Sequence, residues 1–238
     1  GGDAVAIGEE TRDNFVVGVR PFDGGPAPVL PLAVLELDPD GERQDTWQAA
    51  IERKLGPDQY RYDAATRTVR QESDGLHELT LHLVPPGCQP EEANMHLVDL
   101  GNGLAPEHLA RQVLGGLLSD DLYDFYGELR LDGPVVTLPS SLDFDDSVGT
   151  ACEGLIGQKR IVLLYSRYTP QGALDGKVTL ARMVAGRVMA VHGSGGGLEI
   201  VMQPTVLATR TALPGDPSAV PSPDPEGNPY VYKVSITR

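Results

Sequence analysis

The last third of the chain carries the strongest constraint on the fold, because it consists mainly of residues that favour β-strands. Four runs rich in branched and aromatic residues, typical of strands, read "RIVLLYS", "KVTLARMVAGRVMAV", "LEIVMQPTVLAT" and "YVYKVSIT". Only "HGSGGG" separates the second run from the third, and its glycines suit a hairpin turn. We therefore predict a long antiparallel strand pair through about residues 177–191 and 196–208.

Helical periodicity is concentrated before residue 157. Trp47, Ile51 and Leu55 recur every four residues, which predicts a helix with Trp47 as a core anchor. Similar apolar spacing recurs twice further along the chain. The predicted helices cover residues 44–55, 105–126 (two helices) and 146–156.

The order of helices and strands indicates the fold class. Helices in the first two thirds and strands at the end favour an α+β fold over alternating βαβ units. We predict one soluble domain over residues 1–238, with a mainly antiparallel sheet and a few short helices packed on it. Residues 1–90 form a possible sub-part of strands and one helix. Residues 91–238 hold the other helices and then the strand-rich C-terminal part, with a Pro-rich loop at 212–229.

Shorter strands are predicted from turn signals and alternation. "DAVAIG" and "NFVVGVR" flank the polar segment "EETRDN" as a hairpin, and "YRYDAATRTVRQ" forms a second. "ELRLDGPVVTLP" is predicted to turn at Asp132-Gly133. "LHELTLHLVP" alternates apolar and polar residues, which indicates a half-buried strand.

Charge is distributed unevenly over a chain whose formal net charge is −15. Residues 159–238 contain nine Lys and Arg against five Asp and Glu, whereas residues 1–158 contain ten against 29. So acidic a surface repels nucleic-acid phosphates and anionic lipid headgroups. We therefore expect no nucleic-acid binding and no direct lipid binding by this part of the protein.

The sequence also bears on the cellular compartment. No apolar run reaches the roughly 18 residues of a membrane helix, and "GGDAVAIGEE" lacks the basic and apolar regions of a signal peptide. The chain is expected to be either cytosolic or the soluble remainder of a protein trimmed at its N-terminus. The opening Gly-Gly without Met favours trimming.

The histidines lack the spacing of a metal site. His77 and His82 are five residues apart on a predicted strand, so their side chains face opposite sides. His108 lies on a predicted helix without an HExxH pattern. We predict no histidine metal site.

The clustered aspartates do not match a calcium loop. Asp143, Asp145 and Asp146 lack the glycine and the distal glutamate at the required offsets. Carboxylates at this place suit the N-terminus of the following helix, where they complement exposed N–H groups. We predict no metal here either.

No residue pattern indicates a catalytic or cofactor-binding site. "HGSGGG" lacks the lysine of a phosphate-binding loop and precedes a strand rather than a helix. Cys152 has no histidine tied to it by a motif, and Ser166 and Ser194 lack the context of a nucleophile elbow. We predict no catalytic residues and no cofactor.

Lys159 and Arg160 stand between a helix that ends at Gly157 and the apolar run "IVLLY". They are consistent with an active-site edge or with a link between a helix and a buried strand. We favour the link, in which both cations lie near the exposed carbonyl groups of the preceding helix.

The two cysteines, Cys88 and Cys152, are either free thiols or one disulfide. Cys88 lies in the predicted loop "PPGCQP". Cys152 lies on the inward face of a predicted helix, where it could equally be a small buried residue. A bond would close a loop of about 65 residues and stabilise the fold by roughly 4 kcal/mol at most.

Several long segments resemble one protein family. They read "WQAAIERKLGPDQYRYD", "LARQVLGGLLSDDLYDFYGELRLDG", "CEGLIGQKRIVLLYSRYTPQG" and "RMVAGRVMAVHGSGGGLEIVMQPTVL", and together they span roughly residues 28–210. The chain resembles the TadG-like (TadE/TadG-related) proteins linked to the tight-adherence, or Flp-type, pilus. The turn "SRYTPQGALDG" departs from the Ser-, Gly- and Asn-rich turn common in the family, and the Pro-rich tail has no counterpart that we can align.

The resemblance implies an N-terminal membrane helix upstream of this chain and a globular part outside the cytoplasmic membrane. It implies a non-enzymatic role in pilus assembly or in the envelope, through contacts with other pilus-assembly or envelope proteins, and no catalytic residues. It also implies a compartment where a disulfide can form. Two alternatives remain: an extracellular module that binds a glycan or peptide, and a hydrolase with an unrecognised site.

Overall fold

The computed structural model describes residues 10–13, 16–83, 92–194, 197–215 and 228–236. Its strands are β1 Glu10–Asp13, β2 Val16–Val19, β3 Val29–Leu35, β4 Arg61–Asp63, β5 Thr68–Arg70, β6 Leu79–His82, β7 Met95–Val98, β8 Leu129–Arg130, β9 Thr137–Ser141, β10 Lys159–Pro170, β11 Asp175–Ser194, β12 Gly197–Pro204, β13 Leu207–Thr209, β14 Ala212–Pro214 and β15 Val231–Ile236. Its helices are α1 Pro106–Gly115 and α2 Asp146–Glu153, with a π-helical turn at Gln48–Glu52 and a 3₁₀ helix at Ser119–Phe125. This is the predicted α+β arrangement, rich in antiparallel strands.

The main sheet has the strand order β10-β3-β7-β9-β11-β12-β6. Strands β10 and β11 also pair with each other, so β3, β7, β9, β11 and β10 form a closed ring of pairings. Neighbours in this sheet are antiparallel except β3 and β10. Smaller sheets join β1-β15-β13, β14-β2-β8 and β4-β5.

Both faces of the main sheet are covered. Along β10, Val162 and Leu164 contact one buried apolar cluster, whereas Ile161 and Leu163 contact another. The first cluster includes Trp47 and the apolar faces of α1 and α2. Because successive side chains point to opposite faces of a strand, a run that is apolar throughout, such as "IVLLY", is buried on both sides.

The predicted long strand pair is confirmed as β11 and β12, in register from Gly186 opposite Pro204 to Ser194 opposite Gly197. The predicted length of the second strand is wrong. Strand β12 ends at Pro204, and the next strand, β13, belongs to a different sheet. Proline has no N–H to continue the ladder, so the chain leaves the sheet here.

The helix predicted over 44–55 is shorter than expected. Trp47 and Ile51 are buried as predicted, but Leu55 is 54% exposed. Only the π-helical turn forms, because Lys54 adopts a left-handed conformation (φ 59°) that turns the chain away from the helical face.

The other helices follow the predictions more closely. Residues 105–126 form α1 and the 3₁₀ helix, and α2 covers most of 146–156. Asp145 caps α2 by accepting a hydrogen bond from the Ser147 N–H at 2.8 Å. Tyr126, the last residue of the helical region predicted over 105–126, has a left-handed backbone (φ 56°) and is almost fully exposed.

Two predicted hairpins are wrong because long-range strand pairing replaces them. Strand β1 lies within the predicted turn "EETRDN" and pairs with β15, while "DAVAIG" lies outside the described residues. Strands β8 and β9, on either side of Asp132-Gly133, join different sheets. The hairpin in "YRYDAATRTVRQ" is confirmed as β4 and β5.

The Pro-rich segment begins with a strand rather than a loop. Residues 212–214 form β14, which pairs with β2, and residues 216–227 lie outside the described part. The described residues contain no helix of the length and apolar character that a bilayer span requires.

Candidate interaction surface

Helices α1 and α2 lie side by side and run in the same direction. Near their first turns, Leu109 of α1 and Val148 of α2 line one groove. Near their last turns, Leu114 of α1 packs against the backbone at Gly154, directly after α2. A Cβ added to Gly154 would lie 3.0 Å from the Leu114 side chain. The N-terminal ends of the two helices therefore lie together, and so do their C-terminal ends.

Three cations lie around the turn between α2 and β10: Arg160 on the sheet face that carries the helices, and Lys159 and Arg187 on the other face. The Lys159 ammonium donates to the carbonyl of Val206 at 2.8 Å, and Arg160 donates to the carbonyl of Leu114 at 3.1 Å. Arg187, opposite Lys159 on the neighbouring strand, donates to the carbonyl of Gly157 at 2.5 Å.

The local chain path explains this placement. Gly157 has φ 84°, a left-handed conformation that reverses the chain between α2 and β10. The turn directs Arg160 toward the last turn of α1 and Lys159 toward Val206. The prediction that both cations lie on a link near the carbonyl groups of the preceding helix is therefore wrong. They are the first two residues of β10, Arg160 caps α1 instead of α2, and Lys159 binds Val206.

The three cations have no anionic partner among the described residues. None lies within 4 Å of a carboxylate there, including Glu153 in the last turn of α2. Burial lowers the pKa of Lys159, and the nearby Arg187 lowers it further. Burial also lowers the pKa of Arg160 and of Arg187. Carbonyl oxygens and the Tyr62 ring, 3.6 Å below the Arg187 guanidinium, take the place of carboxylates.

Exposed apolar residues lie at, or next in sequence to, the carbonyl groups that these cations bind. Leu114, Ile156 and Val206 are 54%, 44% and 50% exposed, respectively. Val206 and Leu114 each supply the carbonyl that Lys159 or Arg160 binds. We call the residues around the turn between α2 and β10 the basic apolar end; they are Leu114, Ile156 and Arg160 on the helix side of the sheet, with Lys159, Arg187 and Val206 on its other side.

The opposite end of the helix pair holds a groove of about 380 Å³. Its apolar lining comes from Leu104, Pro106, Leu109, Phe144 and Val148, and its polar lining from Ser141, Asp143, Asp145 and Asp175. None of the three carboxylates lies within 4 Å of a cation in the described part of the chain. We call this cavity the acidic groove.

A smaller crevice of about 240 Å³ lies where β3 ends beside β10. His96 lines it from β7, stacked on Tyr168 with ring centroids 4.3 Å apart and edge-on to Tyr165 at 5.3 Å. Burial lowers the pKa of His96 to about 4, so its imidazole is neutral at pH 7. Its Nδ1 has no hydrogen-bond partner among the described residues.

The remaining histidines considered in the sequence lie apart from one another. His77 contacts the carbonyl of Gly56 at 2.7 Å and lies outside β6, whereas His82 is the last residue of that strand and lies 3.6 Å from Asp45. His108 lies on α1. No three His, Cys, Asp or Glu side chains converge as metal ligands within the described residues.

The aspartates, serines and glycine-rich segment discussed in the sequence analysis do not come together at one site in the described structure. Asp143 and Asp145 line the acidic groove, and Asp146 is the first residue of α2. Ser166 is exposed on β10, and Ser194 is the last residue of β11, after which two residues lie outside the described part. "HGSGGG" contributes residues to both β11 and β12, as a hairpin requires.

Cys152 is 1% exposed within the apolar cluster below α2, and burial raises the pKa of its thiol to about 12. The inward orientation predicted from the sequence is confirmed. Of the two alternatives left by the sequence, the structure has Cys152 as a free, buried thiol rather than half of a disulfide, and Cys88 lies outside the described residues.

Three residues of these surfaces, His96, Arg187 and Asp175, are not predicted as site residues from the sequence. His96 lies within "MHLVDLG", where alternation places it opposite Met95 and Leu97. Arg187 interrupts an apolar strand, and a cation within an apolar strand is a sequence feature that could have indicated a site residue. Asp175 joins Asp143 and Asp145 only through the pairing of β11 with β9, which the local sequence does not specify.

Comparison with known proteins adds no relative. No protein-family model, no curated protein and no solved structure matches the chain.

Proposed function

We propose that this chain is the globular, non-enzymatic part of a TadG-like pilus-assembly or envelope protein. It lies outside the cytoplasmic membrane, is anchored by a segment upstream of this chain, and acts by binding other proteins. The sequence segments that resemble the TadG-like family support the pilus or envelope role. The basic apolar end supports the protein-binding role, and it is the observation on which the proposal depends.

The basic apolar end has the chemistry of a protein-binding surface. Interface centres combine exposed apolar side chains with arginine, and they gain most from groups that lose water on binding. Lys159, Arg160 and Arg187 hold charge that no carboxylate within 4 Å offsets in the described structure. A partner with carboxylates at matching positions supplies the negative charge that offsets these cations. Contact with Leu114 and Ile156 buries apolar surface area.

The test uses the full-length gene in its native host. Ile156→Glu places a carboxylate within the exposed apolar part of the surface, and Lys159→Glu reverses one of its charges. Each substitution is expected to reduce surface adherence and pilus number at least about 10-fold, with unchanged protein level, since a mismatched charge in an interface costs more than 1.4 kcal/mol. A tag next to residue 238 should be cleaved by protease added to spheroplasts.

Matched controls separate this effect from general damage. Val135→Glu alters another exposed apolar residue and Arg210→Glu another exposed cation, both outside the basic apolar end. Both controls should retain adherence. Wild-type adherence with Ile156→Glu and Lys159→Glu, or a tag that resists protease in spheroplasts but not in lysed cells, would refute the proposal.

A second candidate function, binding of an extracellular glycan or peptide, is favoured by the crevice at His96. A neutral, buried imidazole whose Nδ1 has no partner in the described structure can accept a hydrogen bond from a ligand hydroxyl or amide. Titration of the protein with N-acetylglucosamine oligomers and with short peptides, followed by NMR of the His96 ring, tests this function. No shift of the ring signals at millimolar ligand would exclude those ligands.

A further inference from the structure

The crevice at His96 is lined by polar groups that have no partner within the described residues. The His96 imidazole forms no hydrogen bond there, and its Nδ1 is enclosed without a partner. The hydroxyl groups of Tyr165 and Ser166, which line the same crevice, form no hydrogen bond in the described part either. We infer that the crevice binds one neutral sugar unit, either a free monosaccharide or the terminal unit of a glycan. This inference rests on the second candidate function, because it names the ligand class of that crevice.

The unpartnered groups can be reached from the crevice. The enclosed, unpartnered side-chain atoms of the described structure include the Nδ1 of His96, but neither its Nε2 nor the Tyr165 hydroxyl. His96 is only 1% exposed and Tyr165 only 2%, so the access of these two atoms comes through the crevice that both residues line. A ligand in the crevice therefore meets an imidazole and a phenol that lack partners.

A ligand with several hydroxyl groups satisfies this lining. A neutral imidazole has one donor and one acceptor nitrogen, the hydroxyls of Tyr165 and Ser166 both donate and accept, and Arg167 only donates. Each sugar hydroxyl also donates and accepts, so neighbouring hydroxyls of one ring match all of these groups. An apolar ligand would displace water and leave the same groups unpaired, which costs free energy.

The charges at the crevice sum to zero, which favours a neutral ligand. Arg43 is paired with Asp45 through hydrogen bonds of 2.9 and 2.7 Å. The other two charged residues of the lining, Asp38 and Arg167, are opposite in sign, and neither lies within 4 Å of an oppositely charged side chain in the described structure. Asp38 can accept from a hydroxyl and Arg167 can donate to one. A carboxylate on the sugar would be repelled by Asp38 and by the net charge of −15, and an amino group by Arg167.

The volume of the crevice sets the number of sugar units. At about 240 Å³ it is smaller than the roughly 300–1,000 Å³ of most small-molecule pockets. It therefore takes one ring, and any further units of a glycan lie in solvent. Peptide recognition uses a sheet edge, a long groove or a backbone nest that engages several residues. A crevice of this size suits a single sugar ring better than a peptide.

The rings that line the crevice are fixed by contacts with one another. His96 stacks on Tyr168 with centroids 4.3 Å apart and meets Tyr165 edge-on at 5.3 Å. Leu35 and Leu37 add apolar surface, on which the carbon-bound hydrogens of a sugar ring can pack. Because the lining is preorganised, binding orders few side chains. A single sugar has few atoms to contribute, so the expected Kd is millimolar.

The experiment titrates the purified chain with methyl glycosides and follows the NMR signals of the His96 ring and of the Tyr165 and Ser166 amides. The neutral panel comprises the methyl glycosides of glucose, galactose, mannose and N-acetylglucosamine, each to about 50 mM, as a millimolar Kd requires. At least one should cause saturable shifts. Methyl glucuronide and the methyl glycoside of glucosamine, which are charged analogues of matched size, should bind at least about 10-fold more weakly.

Two variants test the lining directly. Tyr165→Phe removes only a hydroxyl from a buried ring, and Arg167→Met removes an exposed charge. Each should weaken binding of the best neutral glycoside about 3- to 10-fold, as for the loss of one hydrogen bond. Tyr123→Phe and Arg210→Met are the matched controls outside the crevice and should bind like wild type. Circular dichroism with urea unfolding verifies that every variant is folded.

Three outcomes would overturn the inference: no saturable shift with any neutral glycoside, a charged analogue that binds as tightly as the best neutral one, or wild-type affinity in both Tyr165→Phe and Arg167→Met. If short peptides or the charged analogues shift the His96 ring signals and the neutral glycosides do not, the second candidate function stands and only the ligand class is wrong. If none of these ligands binds, that function fails as well. The protein-binding function is tested separately by Ile156→Glu, which alters no residue of the crevice.

Discussion

The guanidinium of Arg160 donates a hydrogen bond to the carbonyl oxygen of Leu114, 3.1 Å away, and so joins the start of β10 to the last turn of α1. A second nitrogen of the same guanidinium donates to the carbonyl of Lys159 at 3.0 Å. The last carbonyl groups of a helix have no partner within the helix, so a cation placed there stabilises its end. Arg160 therefore stabilises the fold as well as contributing to the basic apolar end.

Arg160→Ala is expected to lower the free energy of unfolding by about 1.5–3 kcal/mol, the usual value for hydrogen bonds that involve a charged group. Urea unfolding followed by circular dichroism measures the change. Arg210→Ala, at an exposed turn, should change stability by less than about 0.5 kcal/mol. Equal stabilities of Arg160→Ala and wild type would show that the contact with Leu114 contributes nothing.

Gly101→Ala should destabilise the fold more than Gly103→Ala, a similar glycine substitution nearby. Gly101 has φ 115°, and an added Cβ would lie 1.5 Å from the carbonyl oxygen of Asp121. The carboxylate of the same aspartate accepts hydrogen bonds from the Leu118 N–H at 2.7 Å and from Asn102 at 2.8 Å, which limits how far it can move. We expect a loss above about 3 kcal/mol or failure to fold, because backbone strain and a steric clash combine.

Gly103→Ala is the matched control for that prediction. Gly103 also has a positive φ, 79°, but no atom lies within 4 Å of its added Cβ. Its cost should be only about 1 kcal/mol, which reflects the backbone conformation alone. If both variants lose the same free energy in urea unfolding, the close approach of Gly101 to Asp121 has no energetic consequence.

The elements that the sequence predicts correctly are those decided by local pattern. The twenty residues of β11 and the five buried residues that begin at Ile161 have strand-forming composition over a long run. The hairpin in "YRYDAATRTVRQ" forms as β4 and β5, and Tyr60 and Tyr62, two residues apart, pack on the same small apolar cluster. In these segments local propensity and tertiary pairing agree.

The elements that the sequence does not predict are decided by contacts between distant segments. Strand β1 is polar and would be a turn by composition, yet it pairs with β15 more than 200 residues away in sequence. The acidic groove needs Asp175 beside Asp143, which only the pairing of β9 with β11 provides. No periodicity within a single segment carries that information, so the site could be predicted only in parts.

Trp47→Ala is expected to cost about 3–5 kcal/mol, as for other large buried aromatic residues. Trp47 is fully buried and meets the ring of Tyr230 edge-on, with centroids 5.5 Å apart. Because Trp47 is the only tryptophan, the variant must be followed by circular dichroism rather than fluorescence. Tyr123→Ala, at a residue that is 83% exposed, should change stability by less than about 0.5 kcal/mol, and a similar loss in both variants would contradict the core role of Trp47.

His96 should make the fold less stable as the pH falls from about 6.5 to about 4. Burial, with a smaller effect of Arg43, lowers its pKa in the folded protein to about 4 from an ordinary value of 6.5. Between these values the unfolded chain binds a proton that the folded protein does not, so protonation favours unfolding; above pH 6.5 His96 has no effect. The full loss is roughly 3 kcal/mol, from 1.36 kcal/mol for each pKa unit.

The comparison of wild type with His96→Phe isolates this effect. The buried carboxyl of Glu78, whose pKa burial raises, stabilises the fold as the pH falls and so works in the opposite direction, but it is present in both proteins. Urea unfolding at intervals from pH 7 to pH 4 measures the free energy of unfolding of both proteins. As the pH falls, wild type should lose more stability than His96→Phe. A constant difference over this range would contradict the low pKa of His96, and His192→Phe, at an exposed residue, should follow the wild type.

Cys152 should be protected from thiol reagents in the folded protein. Its side chain is 1% exposed and burial raises its pKa to about 12, so the reactive thiolate is scarce at pH 8. A chromogenic disulfide reagent should therefore modify Cys152 only as fast as the protein unfolds, and its rate should increase with urea. Rapid modification in native buffer would show that α2 opens locally. In denaturant without reductant, two reactive thiols would exclude a bond between Cys152 and Cys88, and none would support it.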